Sequence, residues 1–136
     1  MRLEVTKRAE LAVRALAFLG STTDQVKGSV LAEELGTTSA FIAQVVGPLV
    51  KAGWVRSDPG PSGGYVNCVE LNLVSVLDVV EAVDGVTDTG RCVVVDRLCG
   101  ADSPCALHAA WTRARGELLK VLGAMSLADV TRDVTL

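Results

Sequence analysis

The stretch SVLAEELGTTSAFIAQVVGPLVK, residues 29–51, contains two short amphipathic patterns joined by a tight turn. Gly36 ends the first pattern, and Thr38 or Ser39 can cap the second, which carries apolar residues at helical spacing. Two short helices that meet at such a turn are typical of a helix-turn-helix, whose second helix enters the major groove of DNA. We therefore predict this motif, with a kink or a break near Val46–Gly47, because Pro48 has no backbone N–H to donate.

The segments on either side complete a small winged domain. Residues 6–19 form a predicted first helix, because apolar side chains recur there at helical spacing. Residues 54–57 and 65–69 resemble strands and flank DPGPSGG, which is rich in turn residues. A hairpin placed directly after a helix-turn-helix is a wing. Residues 75–84 then form a helix that opens with a capping-box pattern.

We expect each helix of this domain to bury one face, and we expect Ser29 to cap the second helix. The residues predicted to face the core are Leu11, Ala15, Phe18 and Leu19 in the first helix, Val30, Leu31 and Leu35 in the second, Phe41, Ile42, Val45, Val46 and Leu49 in the third, and Val76, Leu77, Val80 and Val83 in the fourth.

Three of the four cysteines and the only histidine lie in RCVVVDRLCGADSPCALH, residues 91–108. Six, five and two residues separate Cys92, Cys99, Cys105 and His108 in turn. Thiolates and an imidazole this close in sequence can converge on one inorganic centre. Soft thiolate ligands suit iron–sulfur clusters and zinc, but zinc sites usually use closely spaced cysteine pairs, which this stretch lacks. The pattern therefore favours a metal centre.

Other interpretations of this stretch stay open. The three cysteines could be incidental core residues, or they could form a thiol redox switch without a metal. A nucleophile pair of Cys105 and His108 is conceivable, although the additional cysteines make ligation the better account. Cys68, which follows the wing, is expected to be an ordinary buried cysteine.

From residue 105 to about residue 125, apolar side chains recur at steps of three and four and predict a long helix. A helix that leaves a small domain with such a stripe must bury it, and a second copy of the chain is the economical partner. The predicted dimer interface consists of Leu107, Trp111, Ala114, Leu118, Val121 and Leu122. A last short helix is expected over residues 127–134.

The fold class that follows is mainly α with a small β-hairpin: a winged helix-turn-helix plus a long C-terminal dimerisation helix. We assign residues 1–85 to the winged DNA-binding domain, residues 86–105 to a ligand loop, and residues 106–136 to the dimerisation helix and C-terminal segment. The 136 residues are 49% hydrophobic and 21% charged, which is typical of a globular protein.

Charge and hydropathy restrict the partners and the compartment. The net charge of −3 argues weakly against nucleic acid, although a small DNA-binding surface can be locally basic on an acidic protein. No charge-free apolar run approaches the roughly 20 residues that cross a membrane, and charged residues interrupt the N-terminal apolar stretch. We therefore expect no membrane association and a cytoplasmic, reducing location in which thiols serve as ligands or redox sensors.

Several short motifs occur in a characteristic order along nearly the whole chain. They are MRL at the start, LAVRAL in the first helix, LAEELGTTSAFIAQV, KAGWV, GPSGGY in the wing, VLDVVEAVDG, the RC…C…CALHAAW pattern, and SLADV near the end. In this order they resemble the Rrf2 family of winged-helix transcriptional regulators. The resemblance implies a cytoplasmic homodimer that binds a pseudo-palindromic operator in double-stranded DNA, as a repressor or an activator.

The resemblance also implies a cofactor. Similarity to the IscR-like members implies a [2Fe–2S] cluster held by Cys92, Cys99, Cys105 and His108, and we favour this cluster. NsrR-like members instead hold a [4Fe–4S] cluster with three cysteines and, in some, a carboxylate of the partner subunit. Glu10 occupies that carboxylate position here, so it is the alternative fourth ligand. Redox change or loss of the cluster would alter DNA affinity.

The expected DNA contacts lie on the second helix of the motif and on the wing. Gln44 can pair with two atoms of an adenine, and the wing glycines can approach the DNA backbone closely, although they would also serve any tight hairpin. The family's acidic base-reading residue is replaced by Ala43 and its minor-groove arginine by Pro59. The predicted DNA-binding residues are Thr38, Ser39, Ala40, Phe41, Gln44, Lys51, Arg56, Gly60, Gly63 and Gly64.

One rival from another class is an electron-transfer or cluster-carrier protein, which would share the cysteines but would not need a DNA-binding motif. An enzyme is not expected, because the sequence shows no glycine-rich phosphate loop and no paired carboxylates in a plausible cleft. We accordingly expect no small-molecule substrate.

Overall fold

The computed structural model describes residues 1–95, 97–99 and 104–133, without the side chains of residues 131–133. It confirms the predicted fold class, a mostly helical chain with one two-stranded antiparallel hairpin. The elements in chain order are α1 (Lys7–Gly20), α2 (Gly28–Leu35), α3 (Ser39–Lys51), β1 (Val55–Asp58), β2 (Gly64–Asn67), a 3-10 turn (Leu71–Leu73), α4 (Val76–Asp84), α5 (His108–Ala124) and α6 (Leu127–Asp133).

Helix α1 lies at the centre of the winged domain, where it packs against α3, α4 and α6. Its inner face carries Ala9, Ala12 and Ala15 beside Leu16, and all four are inaccessible to solvent. Small alanine side chains let the neighbouring helices approach closely, and the leucine fills the space between them. Phe18, which we predicted to face the core, is only half-buried.

Two local caps close the helix-turn-helix. Gly36 adopts a left-handed conformation with φ of 68°, and the N–H of Thr37 donates to the carbonyl of Ala32 at 2.9 Å. The hydroxyl of Thr38 accepts a hydrogen bond from the N–H of Phe41 at 3.1 Å. Both predicted caps are therefore confirmed, and they fix the turn that separates α2 from α3.

We predicted a kink or a break near Val46–Gly47, but helix α3 runs through Pro48 without a break. Proline removes one N–H, whose acceptor in a regular helix would be the carbonyl of Gln44. Gln44 lies on the exposed side of the helix, so water can satisfy that carbonyl. Val46 and Leu49, on either side of the proline, stay fully buried and hold the helix to the core.

Helix α2 begins one residue before the predicted cap Ser29, with Lys27 in the N-cap position and no side-chain hydrogen bond there. The cause is not local. Val26 exchanges two backbone hydrogen bonds with Tyr65 of the wing, at 2.9 and 2.8 Å, and the chain turns into the helix directly afterwards. This start leaves Val30 exposed, contrary to our prediction that it faces the core.

Helix α4 starts with the predicted capping box. The N–H of Asp78 donates to the hydroxyl of Ser75, and the Asp78 carboxylate accepts from the N–H of Ser75, both at 2.9 Å. Val83 is buried as expected, but the most deeply buried side chain is Val79, which the apolar pattern did not single out. Val76 is only half-buried, so the inner face is rotated from the predicted one.

The C-terminal part of the chain leaves the domain and returns to it. No residue of α5, all of whose positions are described, is buried within the single chain. After α5 the chain lies beside the start of α4. There the N–H of Val76 donates to the carbonyl of Met125, and the N–H of Leu127 donates to the carbonyl of Val74. Leu127 is 0% exposed and packs into the winged core. The predicted last helix forms, although residue 134 lies outside the described part of the chain.

Within the described residues, no helix combines the length and the apolar character needed to cross a membrane.

Candidate metal centre and nucleic-acid interface

A small backbone hairpin arranges the first two cysteines of the loop. Arg91 and Leu98 form an isolated antiparallel bridge. The N–H of Cys92 donates to the carbonyl of Arg97 at 2.7 Å, and the N–H of Cys99 donates to the carbonyl of Gly90 at 3.2 Å. These hydrogen bonds place both thiols on one backbone hairpin, which we call the arm. The arm folds back against the start of α5.

The three sulfur atoms of Cys92, Cys99 and Cys105 all lie within 4.8 Å of one another. All three residues are half-buried. Backbone N–H groups point at two of the sulfurs: that of Val94 lies 3.4 Å from Cys92 Sγ, and that of Cys105 lies 3.3 Å from Cys99 Sγ. N–H donors of this kind stabilise thiolates and tune the potential of iron–sulfur clusters.

The loop favours the thiolate at one cysteine and disfavours it at another. The backbone N–H groups of Val95 and Val94 lower the pKa of Cys92 to about 7. Burial raises the pKa of the Cys105 thiol. Since metals bind the deprotonated thiolate, the Cys92 thiol is more readily available to a metal near neutral pH than the Cys105 thiol.

His108, the first residue of α5, completes the group. Its Nδ1 atom lies 3.2 Å from Cys99 Sγ, and its backbone N–H donates to the carbonyl oxygen of Cys105 at 3.1 Å. The start of α5 therefore faces the sulfurs, and its positive helix end favours an anionic centre there. Cys92, Cys99, Cys105 and His108 thus line one cavity.

Glu10 lies on α1 and is engaged within its own chain. Its carboxylate pairs with Lys7 at 3.2 Å and with Arg14 at 3.4 Å. Within one protomer it is not among the described residues that gather around the sulfurs. A role as a ligand would require the partner subunit's Glu10.

The donor set fits a metal centre on chemical grounds. Three converging thiolates and one imidazole are soft ligands that suit an iron–sulfur cluster, and they also suit zinc.

Cys68 is exposed and lies apart from this group, so our expectation of an ordinary buried cysteine is wrong there. It follows β2 at the edge of the wing, where no element among the described residues covers it.

The N-terminal half of α3 offers a neutral surface for reading DNA. Ser39, Ala40 and Gln44 are exposed, whereas Phe41 is half-buried against the core and can present only part of its ring. Lys51, at the last position, is the one charged residue of this fully described helix. Base contacts from this surface would therefore rest on hydrogen bonds rather than on charge.

Few cations surround this surface. Arg56 is exposed but forms an ion pair with Asp58 at 3.1 Å, which also accepts from Gln25 at 2.7 Å. The pair raises the pKa of Arg56, because Asp58 accepts its hydrogen bond and stabilises its charge. Lys27, which we did not single out, is exposed beside the wing glycines. Its position just before the first helix of the motif was the available signal.

Two of the wing glycines serve the fold of their own chain. A Cβ atom at Gly63 would contact the backbone oxygen of Asp58, and one at Gly64 would lie 2.5 Å from the carbonyl oxygen of Val26. These two glycines thus serve the tight hairpin, the alternative role that we left open, and their contact with DNA stays a prediction. Gly60, with φ of 93°, faces open space at the tip of the wing.

Replacing Gly63 with alanine should therefore shift the wing backbone and lower the free energy of unfolding by about 1–3 kcal/mol, the usual cost of overpacking. The clashing atoms belong to the backbone, so no side chain can rotate away. Urea denaturation of the two proteins measures the difference. Gly47→Ala is the matched control, because a Cβ there meets nothing within 4 Å. Equal losses in both variants would contradict the prediction.

The predicted dimer stripe on α5 is accessible in the single chain. Leu118 is 41% exposed and Val121 is 62% exposed, while Trp111 and Leu122 are half-buried. Beside them runs an apolar groove of about 340 Å³, lined by residues of the N-terminal segment, the ligand loop and α5. An exposed apolar surface is what a dimer interface would cover, and the dimer itself stays a prediction.

Comparison with known proteins gives consistent results. The family model for Rrf2, described as an iron-dependent transcriptional regulator, matches residues 5–133. The HTH-type transcriptional regulator IscR of Xenorhabdus nematophila is 29% identical over 133 residues, covering 96% of this chain and 80% of that protein.

Solved structures share the fold. The cysteine regulator CymR of B. subtilis superimposes with a TM-score of 0.79 at 21% identity, covering 98% of this chain and 99% of that one. IscR of T. potens superimposes with a TM-score of 0.72 at 24% identity, covering 96% of this chain and 88% of that one.

Proposed function

Since this chain belongs to the Rrf2 family of transcriptional regulators, we propose that it is a homodimeric DNA-binding regulator whose affinity for its operator depends on an iron–sulfur cluster. The observation that supports this most is the convergence of three sulfurs within 4.8 Å, with the imidazole of His108 at 3.2 Å from one of them. Relatives named IscR at 29% identity support the same cofactor.

The proposed ligands connect two parts of the chain. Cys92 and Cys99 belong to the hairpin arm, His108 is the first residue of α5, and Cys105 lies three residues before that helix. When bound, the cluster supplies a redox-sensitive link between these parts. Ligation by the four residues would fix the arm against α5, and their release would let the arm and the helix start move apart.

The proposed dimer would couple this movement to DNA binding. Leu118 and Val121 of α5 would pack against the same helix of a second copy, which would set the spacing of the two α3 helices. Successive major grooves of one DNA face are about 34–36 Å apart, so a change at the base of α5 would alter the fit to a pseudo-palindromic site.

Anaerobic reconstitution followed by counting iron and acid-labile sulfide tests the cofactor. We expect two irons and two sulfides per chain with His108 as the fourth ligand, and the His108→Ala variant should lose the [2Fe–2S] spectrum. Four of each would instead favour the partner subunit's Glu10, and Glu10→Gln would then destabilise the cluster. Zinc alone would contradict the proposal.

DNA selection from a genomic library, followed by gel shifts with the cluster-loaded and cluster-free proteins, tests regulation. We expect at least one site at which the two forms differ in affinity by about 10-fold or more, a usual range for coupled sites. Equal affinity for every selected site would exclude sensing through the cluster. Failure of both forms to bind any DNA would favour an electron-transfer or cluster-carrier protein.

A thiol redox switch without a metal is a second candidate. Three thiols within 4.8 Å, one of them with its pKa lowered to about 7, are close enough for a disulfide to form after a small movement. Under this function, a mild disulfide oxidant would change DNA affinity in protein that contains no iron, and a thiol reductant would restore it.

The dependence of DNA affinity on salt should be weak. Residues 21–64 carry only three cations, Lys27, Lys51 and Arg56, against four carboxylates. A dimer that used all six cations would give a slope of log affinity against log salt of about −5, and Arg56 is already paired. Lys51→Ala should reduce the slope by about 2 per dimer, because one phosphate contact is lost in each half.

Fluorescence anisotropy at several salt concentrations measures this slope, with Lys120→Ala as the control. Lys120 is an exposed cation of α5, outside the reading surface. A slope near −10 would show that DNA contacts a basic surface other than the one formed by α2, α3 and the wing.

A further inference from the structure

Arg115 differs from the other charged residues of α5. Arg113, Glu117 and Lys120 are exposed, whereas the Arg115 side chain is only 19% exposed. It lies seven residues after His108, which is two helical turns along the same face. Arg115 and His108 therefore border the same cavity as the three cysteines.

The guanidinium of Arg115 is linked to the cysteine arm by a short chain of hydrogen bonds. Its Nη2 atom lies 3.3 Å from Oδ1 of Asp88, and the same oxygen accepts from the N–H of Gly90 at 3.1 Å. The carbonyl of Gly90 in turn accepts from the N–H of Cys99 at 3.2 Å. Gly90 has φ of 78°, a backbone conformation that residues with a side chain rarely adopt, so the turn depends on glycine.

We propose that Arg115 is a positioning residue for the metal centre: through Asp88 and Gly90 it holds the arm that carries Cys92 and Cys99 against α5. This inference rests on the proposed function for its cofactor. It adds an electrostatic role, because a permanent positive charge at the wall of a thiolate-lined cavity favours the more negative, reduced state of a bound cluster.

Substitutions of the two partners of the ion pair should affect the reduction potential of the cluster differently. Removing the cation in Arg115→Gln should shift the midpoint potential to a more negative value. Removing the anion in Asp88→Asn should shift it to a more positive value or leave it unchanged. Both variants should release the cluster to a chelator about 10- to 100-fold faster than the wild type, the usual effect of losing an outer partner of a ligand. A role in folding alone would move both potentials in the same direction.

The experiment compares wild type, Arg115→Gln, Arg115→Lys, Asp88→Asn and the control Arg113→Gln. Absorbance loss in chelator gives the release rate, and a dye-mediated titration gives the potential. Arg115→Lys keeps the charge and should restore most of the wild-type potential. Arg113→Gln should behave as the wild type. Release rates and potentials of Arg115→Gln that match those of Arg113→Gln would overturn the proposal.

Hydrogen exchange on the cluster-free protein tests the link separately. The amide of Cys99 should exchange about 10-fold faster or more in both Arg115→Gln and Asp88→Asn, because its acceptor at Gly90 is no longer held. Unchanged exchange would overturn the link whether or not a cluster binds. Wild-type protein that takes up no iron would instead overturn the proposed function, and the exchange result would still decide the role of Arg115.

Discussion

Cys99→Ala should abolish cluster binding and, with it, the difference in DNA affinity between the cluster-loaded and cluster-free proteins. Cys99 Sγ lies between the other two sulfurs and the imidazole of His108 in its contacts. It lies within 4.8 Å of the sulfurs of Cys92 and Cys105, 3.3 Å from the N–H of Cys105 and 3.2 Å from Nδ1 of His108. Loss of this atom removes one proposed ligand and the sulfur that contacts the His108 imidazole.

The visible spectrum and the iron content after anaerobic reconstitution measure the effect. We expect less than one tenth of the wild-type iron in Cys99→Ala and wild-type iron in Cys68→Ala. Cys68 is the matched control, since it is an exposed cysteine outside the site. A stable cluster with full iron content in Cys99→Ala would remove the basis for the ligand assignment.

Leu127→Ala should lower the free energy of unfolding by about 2–5 kcal/mol, the range found for buried leucines. Leu127 is 0% exposed and packs with the core of the winged domain, although it lies beyond the long helix α5. Since a domain of this size is stable by only about 5–15 kcal/mol, the loss is a large share of the total.

Urea denaturation with circular dichroism detects this loss, and Leu73→Ala is its control. Leu73 lies in the 3-10 turn that contacts α6 but is 69% exposed, so its truncation should cost less than about 0.5 kcal/mol. Equal stability of the two variants would mean that α6 does not anchor the C-terminal part of the chain.

The helices, the wing and the grouping of the four ligand-type residues could be predicted because their signals are local. Caps at Gly36, Thr38 and Ser75 depend on neighbours within a few residues, and the structure forms all three. The spacing of cysteines within one loop likewise limits how far apart they can lie. The spacing of the cysteines does not predict the register of the hairpin arm, because that register depends on the bridge between Arg91 and Leu98.

The errors arise where distant contacts override local preference. Ser29 loses its capping role because the wing residue Tyr65 fixes the backbone at Val26. Pro48 is a different case: the Gln44 carbonyl that loses its N–H partner belongs to an exposed residue of α3, so the helix can continue. The role of Asp88 was not predictable, since its partner Arg115 lies 27 residues away across a loop of unknown path.

The path of α5 has a mechanical consequence. Its end is tied to the start of α4 at Val76 and Met125, and its middle is tied to the loop after α4 at Asp88 and Arg115. The first seven residues of the helix, about 10 Å at 1.5 Å per residue, therefore connect the ion pair at Arg115 to the contact between His108 and Cys99. Because the helix is held at three points along its length, we expect a displacement of His108 to strain the ion pair at Arg115 before it reaches the winged domain at Met125.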